Sequence, residues 1–128
     1  IMYHFIYPSK DAHIISINGS NHKKSNPTEE KNFGAETFFT EFPSITPEAA
    51  EWIASTGIAL LGMDLPTPGK DPWGTHLPLL ATGVEIVIIE ALRNLHQLPA
   101  TFTLAAFPLN LKGLDGSPVR AVAILDEA

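Results

Sequence analysis

The apolar positions of this chain follow two rhythms. Met2–Tyr7 and His13–Asn18 are short runs rich in β-branched and aromatic residues, and each predicts a strand. Residues 19–35 are polar, dominated by Asn, Lys, Ser, Pro and Glu, and predict a long surface loop. Thr37–Phe42 fits either class. The rhythm changes at Ser44-Ile45-Thr46-Pro47-Glu48. Thr46 can cap a helix, Pro47 suits its first position, and Glu48 complements the positive end. A helix to Ser55 follows, stopped by Gly57, with Ala49, Ile53 and Trp52 on its inner face. Ile58–Met63 is apolar throughout, which predicts a strand buried on both sides. Asp64–Gly74 holds three Pro and two Gly and reads as a rigid loop. His76–Thr82 predicts a short helix whose first turn accommodates Pro78. Val84–Ile89 predicts a strand ending at Glu90. Thr101–Phe107 and Leu109–Lys112 predict strands around Pro108, Asp115-Gly116 a turn, and Val119–Leu125 a last strand. Strands with interspersed helices make a mixed α/β domain.

Composition narrows the function classes. A length of 128 residues suits one domain, 1–128. The hydrophobic fraction is 45% and the charged fraction 17%, against roughly 25% charged in typical soluble domains. Such a chain builds a core rather than a disordered tail. The net charge of -6 is spread over both halves, so no basic footprint exists. Nucleic acid and anionic membrane surfaces are therefore disfavoured as partners. No apolar run reaches the ~18 residues of a spanning helix. Without Cys there is no disulfide, thiolate nucleophile or cysteine metal site. The lack of Cys fits either redox environment, and the cytoplasm is the default expectation. Asn18-Gly19-Ser20 matches a glycosylation triplet but reads better as a turn pair. Ile1, rather than Met, opens the sequence, which suits a position inside a longer polypeptide.

One region concentrates reactive side chains beside special backbone. It runs Gly62-Met63-Asp64-Leu65-Pro66, then Trp73-Gly74-Thr75-His76, and ends at Glu90. Apolar strands turn polar at Asp64 and Glu90, where α/β folds place ligand-binding groups. His76 at a helix start would be held neutral by the positive helix end. Glu90 interrupts the hydrophobic stretch Ile86–Leu92, so its carboxylate must be paired, protonated, metal-bound or solvated. His76 and Glu90 together could give one imidazole and one carboxylate to a divalent cation. Taken singly, each is more simply a polar residue at the surface. His4, His13, His22 and His96 have no partner spacing. Gly113–Gly116 lacks the spacing and the Lys of a phosphate loop, and no Gly-x-Ser-x-Gly elbow occurs.

From Ile45 to Val122 the chain resembles the C-terminal half of the cyclase family, metal-dependent hydrolases that include kynurenine formamidase and isatin hydrolase. The matching pieces begin with Thr46-Pro47-Glu48-Ala49-Ala50-Glu51-Trp52-Ile53 and Gly62-Met63-Asp64-Leu65-Pro66. They continue with His76 before Leu79-Leu80, and Gly83-Val84-Glu85-Ile86-Val87. After Glu90 come Asn94-Leu95, Gln97-Leu98-Pro99, Phe102-Thr103-Leu104 and Gly116-Ser117-Pro118-Val119-Arg120-Ala121-Val122. His13–Ser20 looks like the family's strand and Gly-Ser turn just upstream. The resemblance implies a swivelling β/β/α-type mixed sheet with flanking helices, here its C-terminal portion. It also implies hydrolysis of a small-molecule amide, an N-formyl or lactam bond, and through kynurenine formamidase a place in tryptophan catabolism. The implied cofactor is a divalent metal, Zn or Mn, which activates water and polarises the carbonyl. His76 and Glu90 match the metal ligands of this half. Asp64 and Ser117 match positions near the substrate, and Arg120 is expected to pair with a carboxylate and hold its loop.

Two departures bear on that reading. The family's His-x-Gly-Thr-His-x-Asp-x-Pro-x-His segment, which supplies most ligands and the catalytic His, is not in this sequence. Trp73-Gly74-Thr75-His76-Leu77-Pro78 mimics its middle, but Pro72 stands at the first His position and Pro78 at the Asp position. Gly83 to Glu90 is also about two residues longer than the family spacing, with Glu85 as a poorer substitute. The expectation is the C-terminal piece of a longer or split enzyme. It would associate with its missing half or with a copy of itself, because half a domain exposes core surface and sheet edges. The alternatives are a non-catalytic small-molecule-binding or oligomeric interaction protein derived from that fold, or a site completed by another subunit.

Overall fold

The computed structural model of the chain describes residues 14–17, 34–99 and 102–125. The expected strand at Met2–Tyr7 and the Asn18-Gly19 turn lie outside them. The described residues form two compact units, one up to Leu95 and one from His96 onward.

The first unit is built on a three-stranded parallel sheet. Its strands are β1 (Ile14–Ile17), β2 (Leu60–Met63) and β3 (Val87–Ile89), in the order β1-β2-β3. Ile14 pairs with Leu60 and Ile17 with Met63, while Leu60 pairs with Val87 and Gly62 with Ile89. β2 is the central strand, and its apolar run is explained by burial on both faces. Leu61 and Met63 are fully buried on one face. On the other, a Cβ at Gly62 would lie 2.9 Å from Leu92 Cδ1, so only hydrogen fits there without moving Leu92.

Two nine-residue helices connect the strands, α1 (Pro47–Ser55) before β2 and α2 (Pro72–Leu80) before β3. α1 follows its local grammar closely. Thr46 Oγ1 accepts the Ala49 N–H at 3.2 Å, Pro47 occupies the first position, and Gly57 takes φ +75 beyond the last turn. Its inward residues are Ala50 and Ile53. Trp52 is 63% exposed, which corrects its expected place on the inner face. The core joins Ala50, Ile53 and Ile58 to Leu61, Met63, Leu65, Leu79 and Ile86. Thr37–Phe42, left open by the sequence, overlaps a short 3-10 turn at Glu36–Phe39.

α2 departs from expectation. It starts at Pro72, four residues before His76, because Asp71 caps it by accepting the Trp73 N–H at 3.1 Å. Asp71-Pro72 thus repeats the arrangement of Thr46-Pro47. Pro78 consequently lies inside the helix rather than in its first turn, and its missing N–H leaves the Gly74 carbonyl without its usual helical donor. The strand expected at Val84–Ile89 is shortened to β3. Val84 and Glu85 donate instead to the Ala81 carbonyl, and Glu85 takes φ +51, so the chain is still turning there.

The second unit is an antiparallel hairpin of β4 (Thr103–Pro108) and β5 (Val119–Ile124), with Thr103 opposite Ile124 and Pro108 opposite Val119. Residues 109–112 are not a strand. Leu109 N–H reaches the Pro118 carbonyl at 3.2 Å and Leu111 N–H turns back to Leu109, so Leu109–Lys112 is the beginning of the loop. The described residues as a whole are mixed α/β. None of their helices is long and apolar enough to cross a membrane.

Candidate active site

Parallel strands share one C-terminal edge, and here that edge carries the carboxylates. With Gly62 opposite Ile89, the residues that leave β2 and β3 at the same end are Asp64 and Glu90. The segments beyond are stitched together: Leu92 N–H donates to the Met63 carbonyl and Ala91 N–H to the Leu65 carbonyl, both at 2.8 Å. Ala91 takes φ +54, a conformation that costs a residue with a Cβ about 1–2 kcal/mol. Glu90 is therefore placed by a strained backbone that the two cross-bonds hold, an arrangement common at functional sites.

His76 comes to the same place from the second turn of α2. Its Nε2 lies 3.7 Å from Glu90 Oε1 and 3.0 Å from the Thr67 hydroxyl. Its Nδ1 lies 3.2 Å from the Thr75 hydroxyl. The ring is about a quarter exposed and the Glu90 side chain rather more, so the pair opens to solvent. His76 was expected at the helix start, where the dipole would act on it directly. At the fifth helical position it lies past the first turn, beyond the reach of that effect. Glu90, and not Glu85, is the carboxylate brought to His76, despite the longer spacing.

Asp64 is placed differently. Its Oδ1 is buried and has no hydrogen-bond partner among the described residues. It lines a small open pocket of about 50 Å³ with Phe38, Glu41, Phe42, Pro43, Leu65 and Pro66. An orphaned buried acceptor is costly, about 1–3 kcal/mol, and it calls for a partner. Ser117 stands on the β4–β5 loop, in the other unit, where its hydroxyl donates to the Pro118 carbonyl at 3.3 Å. Arg120 is on β5 opposite Phe107, and no carboxylate pairs with it among the described residues. Thr67 and Thr75, both against the His76 ring, were not anticipated. Nothing in spacing marks a threonine as a histidine partner.

The donor set suits a divalent cation in kind, one imidazole nitrogen and one carboxylate oxygen. In number it is short, since no group of three His, Cys, Asp or Glu that could hold a metal occurs among the described residues.

No family model matches the chain. Individual proteins do. A kynurenine formamidase of Geobacillus thermodenitrificans (strain NG80-2) is 39% identical over 90 residues, covering 66% of this chain and 41% of that protein. A kynurenine formamidase of Bordetella avium (strain 197N) is 34% identical over 87 residues, covering 64% and 40%. The chain resembles the cyclase family. Cyclase-like protein 3 of Oryza sativa subsp. japonica extends the resemblance to a plant relative, at 31% identity over 68% of this chain and 33% of that protein. A solved structure described as a potential metal-dependent hydrolase with cyclase activity superposes with a TM-score of 0.61 and 29% identity. It covers 73% of this chain and 46% of its own. The chain thus spans about two fifths or less of the length of these curated cyclase-family relatives.

Proposed function

We propose that the chain is a C-terminal part of a metal-dependent amide hydrolase of the cyclase, kynurenine formamidase-like type, with residues 1–128 belonging to one domain of swivelling β/β/α type. The observation that carries this is the 3.7 Å approach of His76 Nε2 to Glu90 Oε1 at the C-terminal edge of a parallel sheet. It occurs in a stretch similar to kynurenine formamidases. A bound Zn or Mn ion would supply activation of water and polarisation of the amide carbonyl. His76 would offer the Nε2 lone pair and Glu90 its carboxylate as two ligands, the remaining ligands coming from outside the described residues. Glu90 contributes the negative charge that favours a cation at this edge. Asp64 would meet a donor group of the N-formyl or lactam substrate through its unpartnered Oδ1. The exposed row of Trp73, Leu77 and Leu80 on α2 supports association with a missing N-terminal half or a second copy. A cytoplasmic location belongs to the same proposal.

The test compares the protein with His76→Ala. Bound zinc and manganese are measured by elemental mass spectrometry, and hydrolysis of an N-formyl aromatic amine or a lactam is followed. Loss of both metal and hydrolysis with an unchanged circular dichroism spectrum is expected. Hydrolysis that persists at the original rate in the variant would refute the assignment.

The two-ligand set favours one second reading, a non-catalytic binding or interaction protein derived from the fold. Denaturing intact-mass spectrometry separates the two. A second polypeptide, or a species much heavier than 13.9 kDa, supports the enzyme, and a lone 13.9 kDa species without metal supports the binding protein.

A further inference from the structure

A histidine can present a lone pair at Nε2 only if its single ring proton sits on Nδ1. A neutral histidine in solvent favours the opposite tautomer, with the proton on Nε2. What surrounds His76 therefore decides whether it can serve as a ligand at the Glu90 side. The Thr75 hydroxyl lies within reach of two acceptors, the Asp71 carbonyl at 2.6 Å and His76 Nδ1 at 3.2 Å. It has one proton, and the shorter, well-formed bond to Asp71 takes it. Toward His76, Thr75 Oγ1 is then only an acceptor, and the contact is satisfied when Nδ1 carries the proton. On the far side of the ring, Thr67 Oγ1 at 3.0 Å from Nε2 is free to donate to the lone pair that remains.

We propose that Thr75 is the positioning residue of this site. It fixes His76 in the Nδ1–H tautomer, which leaves the Nε2 lone pair to accept the Thr67 hydroxyl in the free chain and to meet a cation held beside Glu90. Three features make Thr75 fit for this. It is 2% exposed, so water does not compete for its hydroxyl. Its backbone N–H is also tied to the Asp71 carbonyl, at 3.0 Å, which doubles the hold on the helix turn capped by Asp71. Gly69 packs against its side chain so closely that a Cβ there would lie 2.7 Å from Thr75 Cγ2, which leaves the Thr75 rotamer little freedom. The arrangement corresponds to the outer-shell acceptor that orients most metal-binding imidazoles, supplied here by a hydroxyl whose own proton is already engaged.

The proposal rests on His76 acting as a ligand for its purpose, but its first test does not. Long-range proton–nitrogen correlation spectra of the metal-free, nitrogen-15-labelled chain report which ring nitrogen of His76 carries the proton. The Nδ1–H form is expected in the wild type and in Thr75→Ser, which keeps the hydroxyl. Thr75→Val keeps the size and loses the acceptor, and is expected to move the population toward Nε2–H. An Nε2–H wild type overturns the proposal, and that result needs no variant to fold. An unchanged tautomer in a folded Thr75→Val overturns it equally. The second test is titration with zinc chloride. Thr75→Val should bind about tenfold or more weakly, and Thr75→Ser should restore binding. If no form binds zinc while the tautomer responds as expected, the role of Thr75 stands and His76 with Glu90 is not a zinc site without its remaining ligands. If zinc binds equally to all three forms, the proposal fails and the hydrolase reading survives.

Discussion

Gly74→Ala tests whether the two helices meet as closely as the structure shows. Gly74 is the third residue of α2, and a methyl group there would sit 2.6 Å from Asp71 Oδ2 and 2.9 Å from Pro47 Cγ of α1. Opposing effects are at work. Replacing a helical glycine by alanine stabilises by about 1 kcal/mol through propensity alone. Overpacking a contact this short costs about 1–3 kcal/mol. Asp71 could swing its carboxylate away, but its other oxygen accepts the Trp73 N–H, and losing such a cap costs about 1 kcal/mol more. Pro47 is a ring held at the first position of α1 and has no rotamer to escape into. The two costs outweigh the gain, and the net expectation is a loss of about 1–3 kcal/mol. For a chain of this size that lowers the thermal midpoint by about 4 °C per kcal/mol. Urea denaturation followed by circular dichroism reads the change directly. A variant more stable than the wild type would mean that propensity alone decides, and would refute the close contact between Gly74, Asp71 and Pro47.

The remaining predictions concern the core and one helix end. Leu79 is fully buried in α2 and its carbonyl takes the Ile86 N–H at 2.9 Å, so Leu79→Ala should cost about 2–5 kcal/mol in urea denaturation. Glu48 has its carboxyl held below the usual range, first by a hydrogen bond from its own backbone N–H and then by the Thr46 hydroxyl. Its folded pKa is thus depressed below 4.5, so its stabilising contribution is present above that value and lost as pH falls through the folded pKa. Stability measured against pH should show wild type above Glu48→Gln at neutral pH, with the two curves converging in acid. Curves that stay apart in acid would contradict that assignment.

The parts of this protein that rest on local chemistry could be read from the sequence. The helix Pro47–Ser55 was legible to the residue, because Thr46, Pro47 and Gly57 each act on backbone groups within one turn. Burial of β2 on both faces was legible from its unbroken apolar run. Asp71-Pro72 carries the same cap chemistry as Thr46-Pro47, but it sits among Pro66, Pro68 and Gly69 and reads as more loop. The pattern therefore predicts the helix from His76, four residues after the Pro72 at which α2 starts. Trp52 faces outward because a periodicity defines a face only to within a residue, and the partner across it selects the edge.

The site divides in the same way. His76 and Glu90 stood out by residue type, and Asp64 by its place at the end of an apolar run. The resemblance favours Glu90 over Glu85, but the contact of Glu90 with His76 depends on the turn at Ala81–Glu85 and the left-handed Ala91, which the sequence does not show. Nor could it bring Thr67 and Thr75 to the imidazole. Those contacts span nine residues in one case and depend on a buried rotamer in the other. Residue identity supplied the groups able to bind a cation and the helix ends that place them. The tertiary structure decided which of them meet, because side-chain distance is set by strand register and helix packing rather than by separation along the chain.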